Sequence, residues 1–177
     1  MSAFLYLDID GVLNPWDSED RPTSWPDFEE KSITLTYRSG FQQRLRMWLS
    51  RELGQAVDAL NDLGVQVIWA TTWAEHANPK IGTEIGMRTI PYLPYDIMED
   101  ESGDDECGKL PYVIEHWETN RTADSWAVWV DDKLGQKDYE WIGTQITAGW
   151  NVAGIRPDPA VGITPEMLDE ITRFLIG

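Results

Sequence analysis

Three pairs of side chains able to bind a cation or a phosphoryl group each follow a short apolar run in this 177-residue chain. The pairs are Asp8 and Asp10, Thr71 and Thr72, and Asp131 and Asp132. Carboxylates that lie close together repel one another unless a cation holds them. Oxygen ligands without histidine or thiol favour Mg²⁺, which also accepts water and phosphate oxygens. Because a carboxylate beside such a cation can attack phosphorus, the pattern indicates phosphoryl-transfer chemistry at a magnesium site.

The apolar runs that precede these pairs predict the strands that would bring them together. Residues 3–7, 65–70 and 126–130 are short and apolar, which is typical of buried parallel strands. The other predicted elements are helices at 52–63, 110–117 and 139–147, a strand at 150–155, and a final helix capped by Thr164 with Pro165 in its first turn. This alternation predicts an α/β fold, a parallel sheet with helices on both faces. Ligands bind such sheets at the carboxyl ends of the strands, where the three pairs lie.

Two insertions separate the strands. Residues 15–50 contain a proline-broken loop and then a candidate β-hairpin, with strands at 33–37 and 41–48 around a turn at Ser39-Gly40. Residues 73–108 supply a second small segment, which includes an acidic stretch from Asp96 to Glu106 that we expect to be a solvated loop. Neither insertion is long enough for a large cap domain. We therefore expect one domain over 1–177, with a small flap at about 15–50 over a fairly open site.

Charge and composition narrow the classes of partner. The formal net charge is −17, which argues against binding nucleic acid unless a local basic patch or bound cations intervene, and the sequence contains no basic run. No apolar stretch is long enough to span a bilayer, and the N-terminus does not resemble a signal peptide. The single cysteine, Cys107, excludes an intrachain disulfide. A cytoplasmic location without membrane partners is the expectation.

Four segments of the chain resemble the motifs of the haloacid dehalogenase (HAD) superfamily, in the right order over residues 4–132. Asp8-Ile9-Asp10-Gly11-Val12-Leu13-Asn14 is similar to the first motif, and Val67-Ile68-Trp69-Ala70-Thr71-Thr72 to the second. Lys109 can serve as the third, and Trp129-Val130-Asp131-Asp132 resembles the paired-aspartate form of the fourth. The resemblance is to phosphatases with a small cap or none. It implies a three-layer α/β/α fold with a mainly parallel, five-stranded Rossmann-like sheet.

The resemblance also implies roles for the nucleophile and the acid–base group. Asp8 would attack phosphorus and form an aspartyl-phosphate. Asp10 would protonate the leaving oxygen and then activate the hydrolytic water. Superfamily members that act on carbon–halogen bonds usually lack this second aspartate, so Asp10 favours phosphoryl transfer.

The remaining implied roles concern the phosphoryl group and Mg²⁺. Thr71 and Lys109 would hold phosphoryl oxygens. Mg²⁺ would bind Asp8, the backbone carbonyl of Asp10, and Asp131, with Asp132 acting through water or as a support.

Several assignments stay open at this stage. Thr72 is the alternative to Thr71, and Lys80 or Lys133 could take the place of Lys109. Trp16, Trp25 and Trp73 lie near the motifs and could stack on an aromatic substrate group, although packing is the commoner use of tryptophan. His76 and His116 are isolated in the sequence, and we assign them no catalytic role.

The preferred function is hydrolysis of a phosphomonoester on a small metabolite or nucleotide. A phosphatase that processes nucleic-acid ends is one alternative, and transfer of the phosphoryl group to an acceptor other than water is another. A non-catalytic binding or regulatory domain is the third alternative, but loss of Asp8 or Asp10 would be its sign, and both are present.

Overall fold

The computed structural model describes residues 2–36, 40–95 and 105–177. Its strands and α-helices in chain order are strands β1 (Ser2–Leu7), β2 (Glu29–Thr36) and β3 (Gln42–Leu49), helix α1 (Arg51–Asp62), strand β4 (Val65–Trp69), helix α2 (Leu110–Asn120), strand β5 (Ser125–Val130), helix α3 (Gln136–Thr147), strand β6 (Asn151–Ile155) and helix α4 (Pro165–Ile176). Two short helical segments, Ala74–His76 and Ala77–Gly82, follow β4. A parallel sheet has the order β4-β1-β5-β6, and β2 and β3 form a separate antiparallel hairpin. The predicted α/β class is confirmed.

Strand β1 lies between β4 and β5, and its side chains alternate between two apolar clusters. Ala3, Leu5 and Leu7 belong to a cluster that also contains buried residues of α1 and α4. Phe4 and Tyr6 belong to another that contains buried residues of α2 and α3. Because successive side chains of a strand point to opposite faces, the two clusters lie on opposite faces of the sheet.

The five-stranded sheet that the resemblance implied is not confirmed, since the sheet has four strands within the described residues. Beside β4, where another strand could pair, Tyr92 forms a single parallel bridge with Trp69. Trp69 N–H donates to the carbonyl of Pro91 at 2.9 Å, and Leu93 N–H donates to the carbonyl of Trp69 at 2.8 Å. Pro91 and Pro94 flank this bridge and have no N–H, so the ladder does not extend through them.

The predicted hairpin is confirmed; its first strand begins four residues earlier than expected, and its second is shifted by one residue. Leu35, Met47 and Leu49 are buried in the same apolar cluster as β1, so the hairpin packs against the core of the sheet. The loop before it is also fixed, since the Trp25 indole N–H donates to the carbonyl of Ile163 at 2.8 Å. The predicted turn residue Ser39 lies outside the described residues.

The helix boundaries follow local signals that the sequence contains. Thr164 caps α4 as predicted, because its hydroxyl accepts a hydrogen bond from Met167 N–H at 3.3 Å, and Pro165 occupies the first helical position. Most of the acidic stretch falls in 96–104, outside the described residues. None of the helices in the described ranges is long and apolar enough to span a membrane.

Asp27 ties the loop before the hairpin to the N-terminus of α1. Its carboxylate accepts hydrogen bonds from the Ser50 hydroxyl, from Arg51 N–H at 2.8 Å and from Glu52 N–H at 2.9 Å. Burial alone would raise the pKa of Asp27, but these hydrogen bonds outweigh it and lower the pKa below its ordinary value. The ionised carboxylate therefore stabilises the folded chain.

We expect Asp27→Ala to lower the free energy of unfolding by about 1 kcal/mol at neutral pH, because α1 loses the acceptor of its first N–H groups. A group with a lowered folded-state pKa stabilises above its unfolded pKa of about 4, and that stability is lost as the pH falls through the folded value. The difference between Asp27→Ala and wild type in urea unfolding should therefore shrink as the pH falls below about 4. Asp20→Ala, at an exposed carboxylate of the same loop, is the matched control. An equal loss in both variants would contradict the capping role.

Candidate active site

Polar residues that follow three strands of the sheet lie at the same edge of the sheet. Asp8 follows β1, Asp131 follows β5, and Thr71 comes two residues after β4. The ladder continues just past the strand ends, since Asp8 N–H donates to the carbonyl of Val130 at 3.1 Å and Ala70 N–H to the carbonyl of Leu7 at 2.9 Å. Because the strands are parallel neighbours, the side chains that follow them meet, as the sequence predicted.

A buried ion cluster stands at the centre of this edge. The ammonium of Lys109 donates to Asp8 Oδ2 at 2.5 Å and to Asp131 Oδ2 at 2.7 Å. All three side chains are almost fully buried, and Lys109 immediately precedes α2. Asp8 Oδ1 also accepts from Ile9 N–H at 2.7 Å, which leaves the carboxylate in a fixed orientation. Of the three lysines considered from the sequence, Lys109 is the one in contact with Asp8.

Asp132 adds a third carboxylate. Oxygens of Asp8, Asp131 and Asp132 all lie within 4.8 Å of one another, and all three residues are buried. With one ammonium, from Lys109, against three carboxylates, the cluster carries a net charge of −2 when ionised. A divalent cation would neutralise that charge, and a set of carboxylate oxygens suits Mg²⁺. The residues present therefore fit the metal that the sequence implied.

The pKa values of Asp8 and Lys109 are both shifted by burial and by the neighbouring charges. The pKa of Asp8 is raised to about 6, because burial and, to a smaller extent, the neighbouring Asp131 together outweigh the opposing effect of Lys109. Burial alone would lower the pKa of Lys109, but the charges of Asp8 and Asp131 outweigh it and raise the pKa above its ordinary value. Lys109 therefore remains an ammonium group at neutral pH.

Gly11 is required by the approach of Asp132. Its φ is +72°, a left-handed conformation that side chains rarely adopt. A Cβ atom at this position would lie 2.4 Å from Cγ of Asp132. Glycine in the first motif thus leaves room for the carboxylate of the fourth.

The carboxylate of Asp10 stands apart from the three-carboxylate group. Asn14 Nδ2 donates to its Oδ1 at 2.8 Å, and the Trp73 indole Nε1 donates to its Oδ2 at 2.8 Å. Burial raises the pKa of Asp10, and the two hydrogen bonds oppose that shift. Each oxygen of Asp10 therefore has a neutral donor, which suits a group that holds and releases a proton.

The two threonines occupy different environments. Thr71 is fully buried, and its Oγ1 accepts from Trp73 N–H at 3.4 Å. Thr72 is exposed and lines the cavity above the carboxylates, whereas Thr71 does not belong to that lining. The preference for Thr71 over Thr72 is therefore not supported by the position of its side chain.

A cavity of about 680 Å³ opens above Asp8, Asp10, Lys109 and Asp132. Leu45, Arg46 and Met47 of strand β3 form part of its wall, so the hairpin contributes directly to the site. Three cations and three aromatic side chains also reach it; they are Arg46, Lys133 and Arg156, and Trp16, Trp73 and Tyr95. The cavity wall thus contains three cations besides Lys109 in a strongly acidic protein, together with the carboxylate of Glu106, and Arg46 is also paired with Glu30 at 2.9 Å.

Residues of the site that escaped prediction include Cys107 and Asp138. The thiol of Cys107 lies 3.4 Å from Asp131 Oδ2, and burial raises its pKa, so it stays protonated. Asp138 accepts from Cys107 N–H at 2.8 Å and from Gly135 N–H at 2.7 Å, which holds the segment before Lys109 against the start of α3. The spacing of Gly135 and Asp138 at a helix start is a capping signal that could have identified Asp138.

The comparisons with known proteins agree with this geometry. Residues 4–168 match the family described as the HAD domain in Swiss Army Knife RNA repair proteins. No curated protein and no solved structure matches the chain. With the match extending over nearly the whole chain and the motif residues gathered at one sheet edge, the chain belongs to this family of HAD domains.

Proposed function

We propose that the protein is a magnesium-dependent phosphomonoester hydrolase that works through a phosphorylated Asp8. One observation carries the proposal: a buried carboxylate at the end of the central strand contacts an ammonium group and lies within 4.8 Å of two further carboxylates. A carboxylate nucleophile needs positive charge beside it. The ammonium group, and a metal ion held by the carboxylates, would reduce the repulsion between the nucleophile and a phosphate.

The first chemical step forms the aspartyl-phosphate. An oxygen of Asp8 bonds to phosphorus while the bond from phosphorus to the leaving oxygen breaks. The electron pair of that bond stays on the leaving oxygen, which takes the proton held by Asp10. Lys109 offsets the charge on the phosphoryl oxygens, and a hydroxyl from Thr72 or Thr71 donates to one of them.

The second step releases phosphate. Asp10, now a carboxylate, removes a proton from a water molecule, whose oxygen bonds to phosphorus as the bond to Asp8 breaks. Asp8 is regenerated as a carboxylate and Asp10 as the acid, so the cycle closes with inorganic phosphate and an alcohol as products. The hydrogen bonds from Asn14 and Trp73 orient Asp10 through both steps.

The Mg²⁺ ion would be held by Asp8, Asp131 and Asp132 and by the backbone carbonyl of Asp10. When bound, it supplies positive charge to the phosphoryl oxygens and neutralises the excess charge of the carboxylates. Lys133 N–H donates to Asp131 Oδ1 at 2.9 Å, which orients that carboxylate from outside the cluster.

For the substrate, we propose a phosphorylated RNA end ahead of a small phosphorylated metabolite. The family description names RNA repair proteins, and that association supports nucleic-acid ends as the substrate class of this chain. The cavity wall supports the same choice, because Arg46, Lys133 and Arg156 can contact backbone phosphates and Trp16, which is exposed, offers a stacking surface for a base. A preference for free nucleotides or sugar phosphates would instead favour the metabolite alternative.

Asp8→Asn should lower kcat for an aryl phosphate by about a thousandfold or more, because an amide of nearly the same shape is a poor nucleophile. The measurement is steady-state hydrolysis with saturating Mg²⁺, together with acid-quench detection of phosphorylated protein, which should disappear. Asp17→Asn, the same exchange at an exposed loop residue, is the control. Full activity in Asp8→Asn would refute the mechanism.

Asp131→Asn should weaken Mg²⁺ binding by about tenfold or more, since even residues that only support ligands contribute that much. Titration calorimetry with MgCl2 measures the affinity directly, and the stabilisation of the fold by Mg²⁺ in thermal unfolding gives a second readout. Asp124→Asn, at an exposed carboxylate just before β5, should leave both unchanged. Unaltered Mg²⁺ affinity in Asp131→Asn would disprove the ligand assignment.

The substrate proposal predicts that an oligoribonucleotide with a terminal phosphate has a higher kcat/KM than the matching mononucleotide or a sugar phosphate. Arg46→Gln should lower kcat/KM for the oligonucleotide roughly threefold to tenfold, with a smaller effect on the mononucleotide, because one contact with a backbone phosphate is lost. Arg44→Gln is the matched control, since Arg44 lies on the same strand but is not part of the cavity wall. Equal losses with both substrates would point to a small-metabolite phosphatase.

A further inference from the structure

Asn14 connects the hairpin to Asp10 through both ends of its amide. Its Nδ2 donates to Asp10 Oδ1 at 2.8 Å, and its Oδ1 accepts from the backbone N–H of Trp48 at 2.9 Å. The side chain is 2% exposed, so neither hydrogen bond is readily replaced by water. Trp48 lies on β3, the hairpin strand that also forms part of the cavity wall.

The orientation of the amide follows from these partners. The backbone N–H of Trp48 can only donate, so it must face the oxygen of Asn14, and the nitrogen must then face Asp10. Backbone hydrogen bonds hold Asn14 and Asp10 in the same turn. Gly11 N–H donates to the carbonyl of Asn14, and Asn14 N–H donates to the carbonyl of Ile9, each at 2.8 Å. Asn14 therefore cannot turn away from one partner without losing the other.

Asp10 has a second support that does not involve the hairpin. The Trp73 indole donates to its other oxygen at 2.8 Å, and Trp73 belongs to the segment after β4. If Asn14 were lost, Asp10 would keep one donor and could rotate about it. The hairpin contact thus fixes one of the two points that define the plane of the Asp10 carboxyl group.

We infer that Asn14 is a positioning residue through which the docked hairpin sets the orientation of Asp10 for proton delivery to the leaving oxygen. This inference rests on the proposed function, in which Asp10 is the acid. It assigns the hairpin a part in the chemical step in addition to its part in the cavity wall. An occupant of the cavity that shifts β3 would then change proton transfer as well as binding.

The test compares leaving groups. An alkyl phosphate needs a proton on its leaving oxygen, whereas p-nitrophenolate leaves readily without one, so a misplaced acid slows the first substrate far more than the second. The quantity is kcat/KM, because it reports the steps up to the first phosphoryl transfer. A residue that matters only for folding or for binding phosphate would lower both values by the same factor.

A matched pair at Trp48 isolates the hydrogen bond. Trp48→Ala removes the indole but keeps the backbone N–H, whereas Trp48→Pro also removes the N–H. We expect Trp48→Pro to lower kcat/KM for the alkyl phosphate about tenfold or more beyond its effect on p-nitrophenyl phosphate, and Trp48→Ala to affect the two substrates equally. Asn14→Ala should reproduce the result of Trp48→Pro.

The outcomes separate this inference from the function on which it rests. Equal losses for both substrates in Trp48→Pro and Asn14→Ala would overturn the inference while leaving the phosphatase intact. Wild-type protein that hydrolyses neither of these phosphates nor an oligoribonucleotide with a terminal phosphate would overturn the proposed function, and the inference with it. If Trp48→Pro does not fold, the ratio measured for Asn14→Ala against Trp48→Ala decides the question.

Discussion

The ammonium of Lys109 between Asp8 and Asp131 is the interaction on which the rest of the site depends. It joins the ends of β1 and β5 to the segment before α2, three parts of the chain that are distant in sequence. A buried carboxylate without a partner costs several kcal/mol, so the two aspartates could not occupy adjacent strand ends without this cation. The surrounding structure also helps to position Lys109. Asp138 accepts a hydrogen bond from Cys107 N–H and thereby fixes the segment that leads to Lys109.

The charges of the buried cluster do not balance, and this imbalance is what makes the cluster chemically useful. A structural ion pair would balance its charges, but here three carboxylates face one ammonium. Preorganised groups of this kind cost no rearrangement when charge develops during a reaction. Asp10 contrasts with this arrangement, because its donors are neutral: they orient the carboxyl group and favour its ionised form, while burial raises its pKa.

The residues that follow the strands were predictable because the side chains able to do chemistry come directly after the apolar runs that form the strands. Asp8 and Asp131 come directly after apolar runs, and parallel pairing then determines that they meet. Lys109 could be identified because it precedes a helix. The roles of Asn14 and Cys107 were not predictable, because they depend on how a distant hairpin and a loop dock, which no local pattern records. The fifth strand that the resemblance implied is not confirmed in the described residues, where the prolines on both sides of Tyr92 limit pairing beside β4 to a single bridge.

The net charge of −17 is compatible with the proposed anionic substrate, because the charge of the surface and the charges of the cavity act on a phosphate over different distances. At physiological ionic strength, exposed charges are largely screened beyond about 8 Å, so a phosphate inside the cavity responds mainly to the nearest groups. Those groups are Arg46, Lys133, Arg156 and Glu106 of the cavity wall and the buried cluster beside them. Without a divalent cation the cluster is negative and repels a phosphate, whereas with one the cluster is neutral and the cations of the wall can attract the phosphate. The acidic surface therefore disfavours casual binding of polyanions, while a cation-loaded cavity can still accept a terminal phosphate.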